Sequence, residues 1–225
     1  METQIGPALT TYRHWLATRT TSPLEPIRGL SSARHLPLDR KGLDARGWSD
    51  LPLDWEPGAG EIHAGGYGED RAIYDTPIFN PPGKEPRTIH LGLDVFAAAG
   101  TPVFAPLDGR VHSVQHNDNA KDYGPTVILE HQPVEGLQVW TLYGHLARDV
   151  LQTLQAGDRV STGQQIASLG ANDVNGGWAP HLHFQIMLDL QGRTGDFPGV
   201  ANRSEAADWL TLCPDPGEFL GLASA

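Results

Sequence analysis

Basic residues and cysteine are scarce in this chain. Among 225 residues, Lys and Arg total 16 against 27 Asp and Glu, which gives a formal net charge of -11. Phosphate contacts need a basic protein face, and binding to anionic lipid needs a basic patch, so the composition argues against nucleic-acid and membrane partners. The only cysteine, Cys213, excludes an intrachain disulfide, and we expect it to be a small, buried, apolar residue.

Long apolar runs are also missing from the sequence. No stretch approaches the roughly 20 apolar residues of a membrane-spanning helix. The first residues, Met-Glu-Thr-Gln-Ile-Gly-Pro, lack the basic start and apolar core of a secretory signal, so we expect a cytoplasmic protein. What the chain has instead is 18 Pro and 26 Gly with 39% hydrophobic residues, which is typical of a loop-rich, mostly β globular protein.

The chain divides into three segments by pattern. Residues 1–86 predict an irregular, partly helical N-terminal arm that wraps the core, with one short helix over 7–18 before several prolines break any longer element. Residues 87–190 predict the core. Residues 191–225 predict a Pro/Gly-rich tail that packs on the core and has one helical piece near 204–212.

Short strands separated by turn signals dominate the core. Residues 101–114 predict two strands with a turn at Asp108-Gly109, and residues 126–145 predict two more joined near Pro133–Gly136. Residues 157–170 predict a further short hairpin. Because no helical period lies between them, the core is predicted to be an all-β sheet or sandwich.

Four residues of the types that bind zinc occur in two clusters of this core. His181 and His183 alternate with apolar residues, so both imidazoles should lie on one face of a strand. His90 and Asp94 lie four residues apart in a similar alternating segment, for which a strand is the better interpretation. Each cluster alone would more often be an ordinary polar pair on a half-exposed strand. Both together, each on a strand-like pattern, favour a shared metal site.

The number of candidate ligands suits a catalytic zinc. Such an ion usually takes three protein nitrogen or oxygen ligands and keeps a fourth position for water. Four candidates therefore provide a complete site and leave one histidine for proton chemistry.

Five sequence motifs in order resemble the lysostaphin-type zinc metallopeptidases, the M23 family. They are His90-Leu-Gly-Leu-Asp94, Gly100-Thr-Pro-Val to Gly109-Arg-Val111, Thr141-Leu-Tyr-Gly-His145-Leu146, Gly157-Asp-Arg-Val to Gly163-Gln-Gln-Ile166, and Pro180-His-Leu-His-Phe184. Each motif alone is unspecific, but their combination is highly specific. The likeness covers somewhat under half of the chain.

The resemblance implies roles for five residues. His90, Asp94 and His183 would be the zinc ligands, and His145 and His181 would be the two catalytic histidines. The implied fold is a lysostaphin-type antiparallel β core. The implied activity is a zinc-dependent endopeptidase or amidase, acting on Gly-containing or cell-wall-derived peptides such as peptidoglycan fragments.

Flanking segments narrow the resemblance to one branch of the family. Residues 65–74, 175–185, 195–200 and 213–216 resemble the peptidase-like domain found between a phosphotransferase-like and a class III aminotransferase domain in some fusion proteins. Two features depart from the common pattern: Gln185 stands where many members have Glu, and the bulky Trp178 lies in the preceding loop. Trp178 either narrows the cleft or anchors the loop in the core. The expected cytoplasmic location also conflicts with a cell-wall substrate.

Other interpretations of the same residues remain open. Tyr67, Glu69 and Arg71 either contact substrate or, as we prefer, anchor the arm by hydrogen bonds. The remaining histidines lack motif context and are expected to be surface or non-functional residues; they are His14, His35, His63, His112, His116 and His131.

Two other functions compete with hydrolysis. One is a zinc-containing binding or scaffold domain without activity, although all five histidine and aspartate positions are kept. The other is a lipoyl- or biotinyl-carrier-like hairpin domain, which needs a lysine at a hairpin tip. The only lysine between residues 90 and 190 is Lys121, in a polar loop without that context.

Overall fold

The computed structural model describes residues 2–74 and 76–222. Met1 and Asp75 of the expected arm and residues 223–225 of the expected tail lie outside the described residues. The described strands are β1 Arg34–His35, β2 His63–Gly65, β3 Arg87–His90, β4 Leu93–Phe96, β5 Pro102–Phe104, β6 Gly109–Asn117, β7 Gly124–Val134, β8 Leu137–Gly144, β9 Arg159–Val160, β10 Gln165–Ser168, β11 His181–Met187 and β12 Val200–Asn202. The helices are α1 Glu2–Thr18, α2 Arg40–Asp44, α3 Val150–Thr153, α4 Ala206–Leu212 and α5 Pro216–Leu220, with 3₁₀ turns at Leu30–Ser32 and Arg203–Glu205.

One large sheet organises these elements. Its eight strands lie in the order β1-β2-β4-β11-β8-β7-β6-β9, and two small sheets pair β5 with β10 and β3 with β12. The mostly β fold class is therefore confirmed. Every pair in the large sheet is antiparallel except β1–β2, which is parallel and lies at the edge where the N-terminal arm joins the sheet.

The two short hairpins expected around residues 101–114 and 157–170 are wrong in their pairing. The strands exist, but β5 pairs with β10 and β6 pairs with β9, so the two segments exchange partners. The loops that follow β5 and β9 meet at two hydrogen bonds. Ala105 N donates to the Gln164 carbonyl over 2.9 Å, and Gly163 N donates to the Ala105 carbonyl over 2.8 Å. Of the three predicted hairpins, the β7–β8 hairpin pairs as predicted.

The segment holding His90 and Asp94 is two strands rather than the expected one. β3 ends at His90 and pairs with β12, whereas β4 begins at Leu93 and pairs with β11 and β2. Gly92 makes the bend between them. A Cβ at Gly92 would lie 2.7 Å from His183 Nε2 and 2.8 Å from the Phe184 carbonyl oxygen, so only glycine allows this close approach to β11.

The large sheet is covered on both faces at β11, and every residue of that strand is buried. On one face, Leu182, Phe184 and Ile186 pack against α1, α5 and the β5–β10 sheet. On the other face, the core continues through the β3–β12 sheet and α4. His183 and Gln185 alternate with the first set and therefore lie on this second side.

The arm and tail are more regular than expected. Helix α1 begins at Glu2, five residues before the predicted start, and the arm supplies β1 and β2 to the large sheet. The tail supplies β12, α4 and α5, and α4 matches the helical piece expected near 204–212. The division of the chain at residues 86 and 190 stays a prediction. Among the described helices, none combines the length and apolar character needed to cross a membrane.

Candidate metal centre and active-site cleft

Three strand ends bring His90, Asp94 and His183 together. Asp94 on β4 lies directly opposite His183 on β11, and His90 closes β3 beside them. All three side chains are buried. Because antiparallel pairing fixes the facing residues, the sheet register positions two of the three groups without help from a loop.

The three groups converge through one atom each. His90 Nε2 lies 3.0 Å from His183 Nδ1 and 3.2 Å from Asp94 Oδ1, and His183 Nδ1 lies 3.0 Å from Asp94 Oδ1. Ligands of a tetrahedral zinc at 2.0–2.1 Å would lie about 3.3 Å apart, so this triangle is close to the size that zinc requires. These are the residues whose spacing could hold a metal ion.

The outer nitrogen of each candidate ligand histidine is hydrogen-bonded to an acceptor. His90 Nδ1 lies 3.2 Å from the Gly66 carbonyl, and His183 Nε2 lies 2.8 Å from Gln185 Oε1. Each outer nitrogen therefore carries the proton, and the inner nitrogens and the carboxylate oxygen are all acceptors. Three acceptors this close repel one another unless a cation lies between them. The donor set therefore fits a zinc ion, bound by two imidazoles and one carboxylate.

Electrostatics keep these candidate ligands in the protonation states that metal binding requires. Burial and the nearby Arg71 guanidinium lower the pKa of His90 to about 3, so the imidazole is neutral at neutral pH. Burial opposes ionisation of Asp94, but its polar neighbours, among them the Arg71 guanidinium that contacts it, outweigh burial and hold the pKa of Asp94 well below the usual value. Both groups are therefore deprotonated, as ligation requires.

His145 follows strand β8 in a left-handed conformation, with φ of 63°. Its backbone N donates to the Tyr123 carbonyl over 2.7 Å, and its carbonyl accepts from Gly170 N over 2.9 Å. Its ring Nδ1 lies 2.8 Å from the Asn175 carbonyl. A non-glycine residue in this region is strained, and three hydrogen bonds hold it there, which leaves Nε2 available for chemistry.

His181 starts β11 two residues before His183. Its Nδ1 lies 2.7 Å from the Ala179 carbonyl, and its Nε2 lies 3.7 Å from Asp94 Oδ2. The His145 and His181 rings are 4.2 Å apart between centroids. Burial lowers the pKa of both imidazoles, so both are neutral at neutral pH.

A cleft of about 310 Å³ opens onto Asp94, His145, His181 and His183. Tyr74, Phe79 and Trp178 form an aromatic wall, with ring centroids 4.7–6.4 Å apart. Cations and carboxylates also line the cleft; they are Arg87, Lys121, Arg193, Asp122 and Asp196. This mixture of apolar and charged groups suits a zwitterionic, peptide-like ligand.

The structure defines the contacts of Tyr67, Glu69 and Arg71, whose roles the sequence left open. Tyr67 donates to main-chain carbonyls of Leu210 and Cys213, and Glu69 Oε1 accepts from Leu38 N over 2.9 Å. These contacts match the anchoring interpretation. Arg71 is different, because it contacts the candidate ligand Asp94.

Trp178 both anchors its loop in the core and lines the cleft, the two roles that the sequence left open. It is 4% exposed, packs in the core cluster of the arm, and lines the cleft, with Lys121 Nζ 3.8 Å from its ring centroid.

The expectation of a surface position is wrong for His131. This residue is 1% exposed, with Nδ1 2.9 Å from the Asp108 carbonyl and Nε2 2.8 Å from Thr141 Oγ1. Burial lowers its pKa to about 4. It lies in β7 and its contacts link neighbouring strands. Cys213, by contrast, is buried as predicted.

Asn175 and the wall residues Tyr74 and Phe79 were not singled out by sequence. Asn175 is fully buried, and its side chain bonds both the N–H and the carbonyl of Trp178 over 2.9 and 3.0 Å. The Asn-Gly-Gly turn signal after residue 174 could have marked it as a loop organiser. No sequence pattern indicated that Tyr74 and Phe79 would line the cleft, because their positions depend on how the arm folds over the core.

The family model for peptidase family M23 matches residues 88–195. These residues form an M23 domain. All five residues predicted for the metal centre and catalysis lie within it. The arm that supplies Tyr74 and Phe79 of the aromatic wall lies outside it, whereas Trp178 lies within it.

Several known proteins resemble this M23 domain. An uncharacterized metalloprotease of Haemophilus influenzae is 32% identical over 137 residues, which cover 58% of this chain and 26% of that protein. The peptidoglycan DD-endopeptidase ShyC of Vibrio cholerae is 34% identical over 115 residues, which cover 49% and 24%. The chain therefore spans about a quarter of the length of these relatives.

Two solved structures are also similar to this chain. A zinc-containing peptidase from Vibrio cholerae is 33% identical, with 44% of this chain and 27% of that chain covered and a TM-score of 0.36. A mutant catalytic domain of the prophage-encoded M23 protein EnpA from Enterococcus faecalis is 26% identical, with 54% and 80% covered and a TM-score of 0.36.

Proposed function

We propose that this protein is a zinc-dependent peptidase that hydrolyses a peptide bond in peptidoglycan-derived peptides. The observation that carries the proposal is the triangle of three buried acceptor atoms at the end of a cleft, beside two neutral imidazoles. His90, Asp94 and His183 would hold the zinc ion. When bound, zinc supplies the positive charge that polarises a scissile carbonyl and lowers the pKa of a water.

The two remaining imidazoles are suited to proton transfer. Nδ1 of both His145 and His181 donates to a main-chain carbonyl, so both Nε2 atoms start as acceptors. In the proposed reaction, one Nε2 takes the proton of the attacking water and delivers it to the leaving amine. The protonated ring also becomes a hydrogen-bond donor beside the carbonyl oxygen as charge develops there.

The substrate class rests on the relatives and on the cleft. Two relatives from Vibrio cholerae are named peptidoglycan DD-endopeptidases, each 34% identical, over 115 and 114 residues. The cleft carries charged groups of both signs beside an aromatic wall, which suits a short peptide with free amine and carboxylate groups.

We also infer that the chain belongs to the branch found in phosphotransferase and class III aminotransferase fusion proteins. Its support is the sequence of the flanking segments. Tyr67 of the segment 65–74 donates to the Cys213 carbonyl of the segment 213–216, so the two segments occur together in space.

The test is digestion of purified peptidoglycan and its soluble muropeptides, with products identified by mass spectrometry. The wild-type protein should release peptide fragments, a chelator should stop release, and added zinc should restore it. His181→Ala should lower the rate by about 10²–10⁴-fold while zinc stays bound, because this residue is assigned to proton transfer and not to ligation. His14→Ala, at an exposed position of α1, is the matched control and should match wild type.

Zinc-loaded wild type that cleaves neither peptidoglycan nor a broad peptide panel would contradict hydrolysis and favour a binding domain. Loss of zinc from His181→Ala would contradict the assigned roles.

A further inference from the structure

A fully buried guanidinium lies behind the metal centre. The Arg71 side chain is 0% exposed, although it belongs to the N-terminal arm and precedes the M23 domain. Burying a charge costs several kcal/mol unless it is paired, so a buried arginine needs partners of opposite charge. Its two carboxylate partners are Glu69, over 2.9 Å, and Asp94.

The two oxygens of Asp94 have different partners: the candidate ligand histidines contact one, and Arg71 contacts the other. Asp94 Oδ1 lies 3.2 Å from His90 Nε2 and 3.0 Å from His183 Nδ1, inside the triangle of candidate ligand atoms. Asp94 Oδ2 instead accepts from Arg71 Nη1 and lies 3.7 Å from His181 Nε2. Only one oxygen of this carboxylate is therefore presented to a metal.

The arm is shaped to admit this guanidinium. Gly65 on β2 lies opposite Asp94 on β4, and a Cβ at Gly65 would be 2.6 Å from Arg71 Nη2. A side chain there would displace the guanidinium from Asp94. The glycine of the arm strand thus makes room for the charge that contacts the candidate ligand.

Other contacts fix the guanidinium in place. Arg71 Nη1 also donates to Tyr74 Oη over 3.2 Å. Glu69, which accepts from Arg71 Nε, accepts from Leu38 N through its other oxygen. The guanidinium is therefore hydrogen-bonded to Glu69 and Tyr74 of the arm and to Asp94 of the candidate metal centre.

We propose that Arg71 is a positioning residue that holds Asp94 as a one-oxygen ligand, so that the N-terminal arm completes the metal centre. The inference rests on the proposed zinc site. By engaging Oδ2, Arg71 would keep the carboxylate from turning both oxygens toward a bound ion, which would leave a coordination position for water. A purely structural ion pair would stabilise the arm without changing metal coordination.

Two variants separate these possibilities. Arg71→Lys keeps the charge but offers a single ammonium in place of the planar fork, so it cannot hold Glu69 and Asp94 together. Glu69→Gln/Arg71→Met removes the cation together with the Glu69 carboxylate, so no unpaired charge stays buried at position 69. This double variant provides the test if Arg71→Lys fails to fold. Arg34→Gln is the control, because Arg34 pairs with Glu61 at the surface.

The experiment measures zinc affinity by chelator competition and the visible absorption of the cobalt(II)-substituted protein. Both Arg71 variants should bind zinc about 10–100-fold more weakly than wild type. Their cobalt bands should weaken, because a two-oxygen Asp94 raises the coordination number above four. Arg34→Gln should match wild type in both measurements.

Unchanged zinc affinity and an unchanged cobalt spectrum in folded Arg71 variants would overturn the inference and leave the proposed peptidase intact. Wild type that binds neither metal would instead overturn the proposed zinc site itself.

Discussion

At the scale of single residues, one hydrogen bond on each imidazole decides the chemistry of the site. His90, His145 and His181 each place Nδ1 on a main-chain carbonyl, whereas His183 places Nε2 on Gln185. His183 therefore presents Nδ1 to the metal centre, while the other three present Nε2. The motifs nominate five candidate site residues, and that assignment stays a prediction, but the presented nitrogen depends on backbone positions that no motif specifies.

Gln185 offers a test at this scale. It accepts from His183 through Oε1, and its amide nitrogen donates to the Pro198 carbonyl over 3.0 Å, which fixes its orientation. Gln185→Leu removes the acceptor, so His183 can turn or change tautomer, and zinc affinity should fall about 10–100-fold. Gln185→Glu keeps an acceptor and should stay within a few-fold of wild type. Chelator competition measures both, and equal affinity of Gln185→Leu and wild type would refute this role.

At the scale of elements, the positions of the strands could be predicted from the sequence better than the pairing between strands. The alternation of β11 correctly placed His181 and His183 on one face, because period-two patterning is local. The exchange of partners between β5, β6, β9 and β10 was missed, since pairing depends on how distant corners cross. The bend at Gly92 was missed for a similar reason, because the close approach of β11 that requires it is not visible in the segment itself.

His131 shows how elements are tied together through a neutral histidine. It joins β7 to the turn at Asp108 and to Thr141 of β8. Its pKa is lowered from 6.5 to about 4, so the folded state binds this proton less readily than the unfolded state. The free energy of unfolding is therefore highest above pH 6.5 and falls between pH 6.5 and 4, by up to about 3 kcal/mol from this group.

His131→Gln should lose that part of the pH dependence, because glutamine can hydrogen-bond but does not titrate. Urea unfolding of metal-free protein at pH steps from 7.5 to 4 would compare the two chains. The other buried histidines are present in both and cancel in the difference. A wild-type curve no steeper than that of His131→Gln would contradict the assignment.

At the scale of the whole molecule, helices α1 and α5 pack together on the face of the sheet opposite the candidate metal centre. Trp15 of α1 lies 5.8 Å from Phe219 of α5 and 5.9 Å from Tyr12 between ring centroids. Arg19 donates to the Phe219 and Glu218 carbonyls over 2.6 and 2.8 Å. The sequence predicted part of α1, but nothing in it indicated that the two terminal segments meet.

Trp15→Ala should therefore reduce stability without disturbing the site. The lost packing should lower the free energy of unfolding by about 3 kcal/mol, and Trp15→Phe should cost less. Urea unfolding gives the change, and zinc content measured on the same samples should match wild type. Loss of zinc from folded Trp15→Ala would show that the two faces are coupled, contrary to this account.

The central claim, a zinc centre built by His90, Asp94 and His183 with His181 beside it, is tested most directly by elemental analysis. Wild type, His90→Ala and His181→Ala would be purified in parallel and their zinc content measured. We expect about one zinc per chain in wild type and in His181→Ala, and none in His90→Ala. Absence of zinc from wild type after metal addition, or equal zinc in His90→Ala, would contradict it.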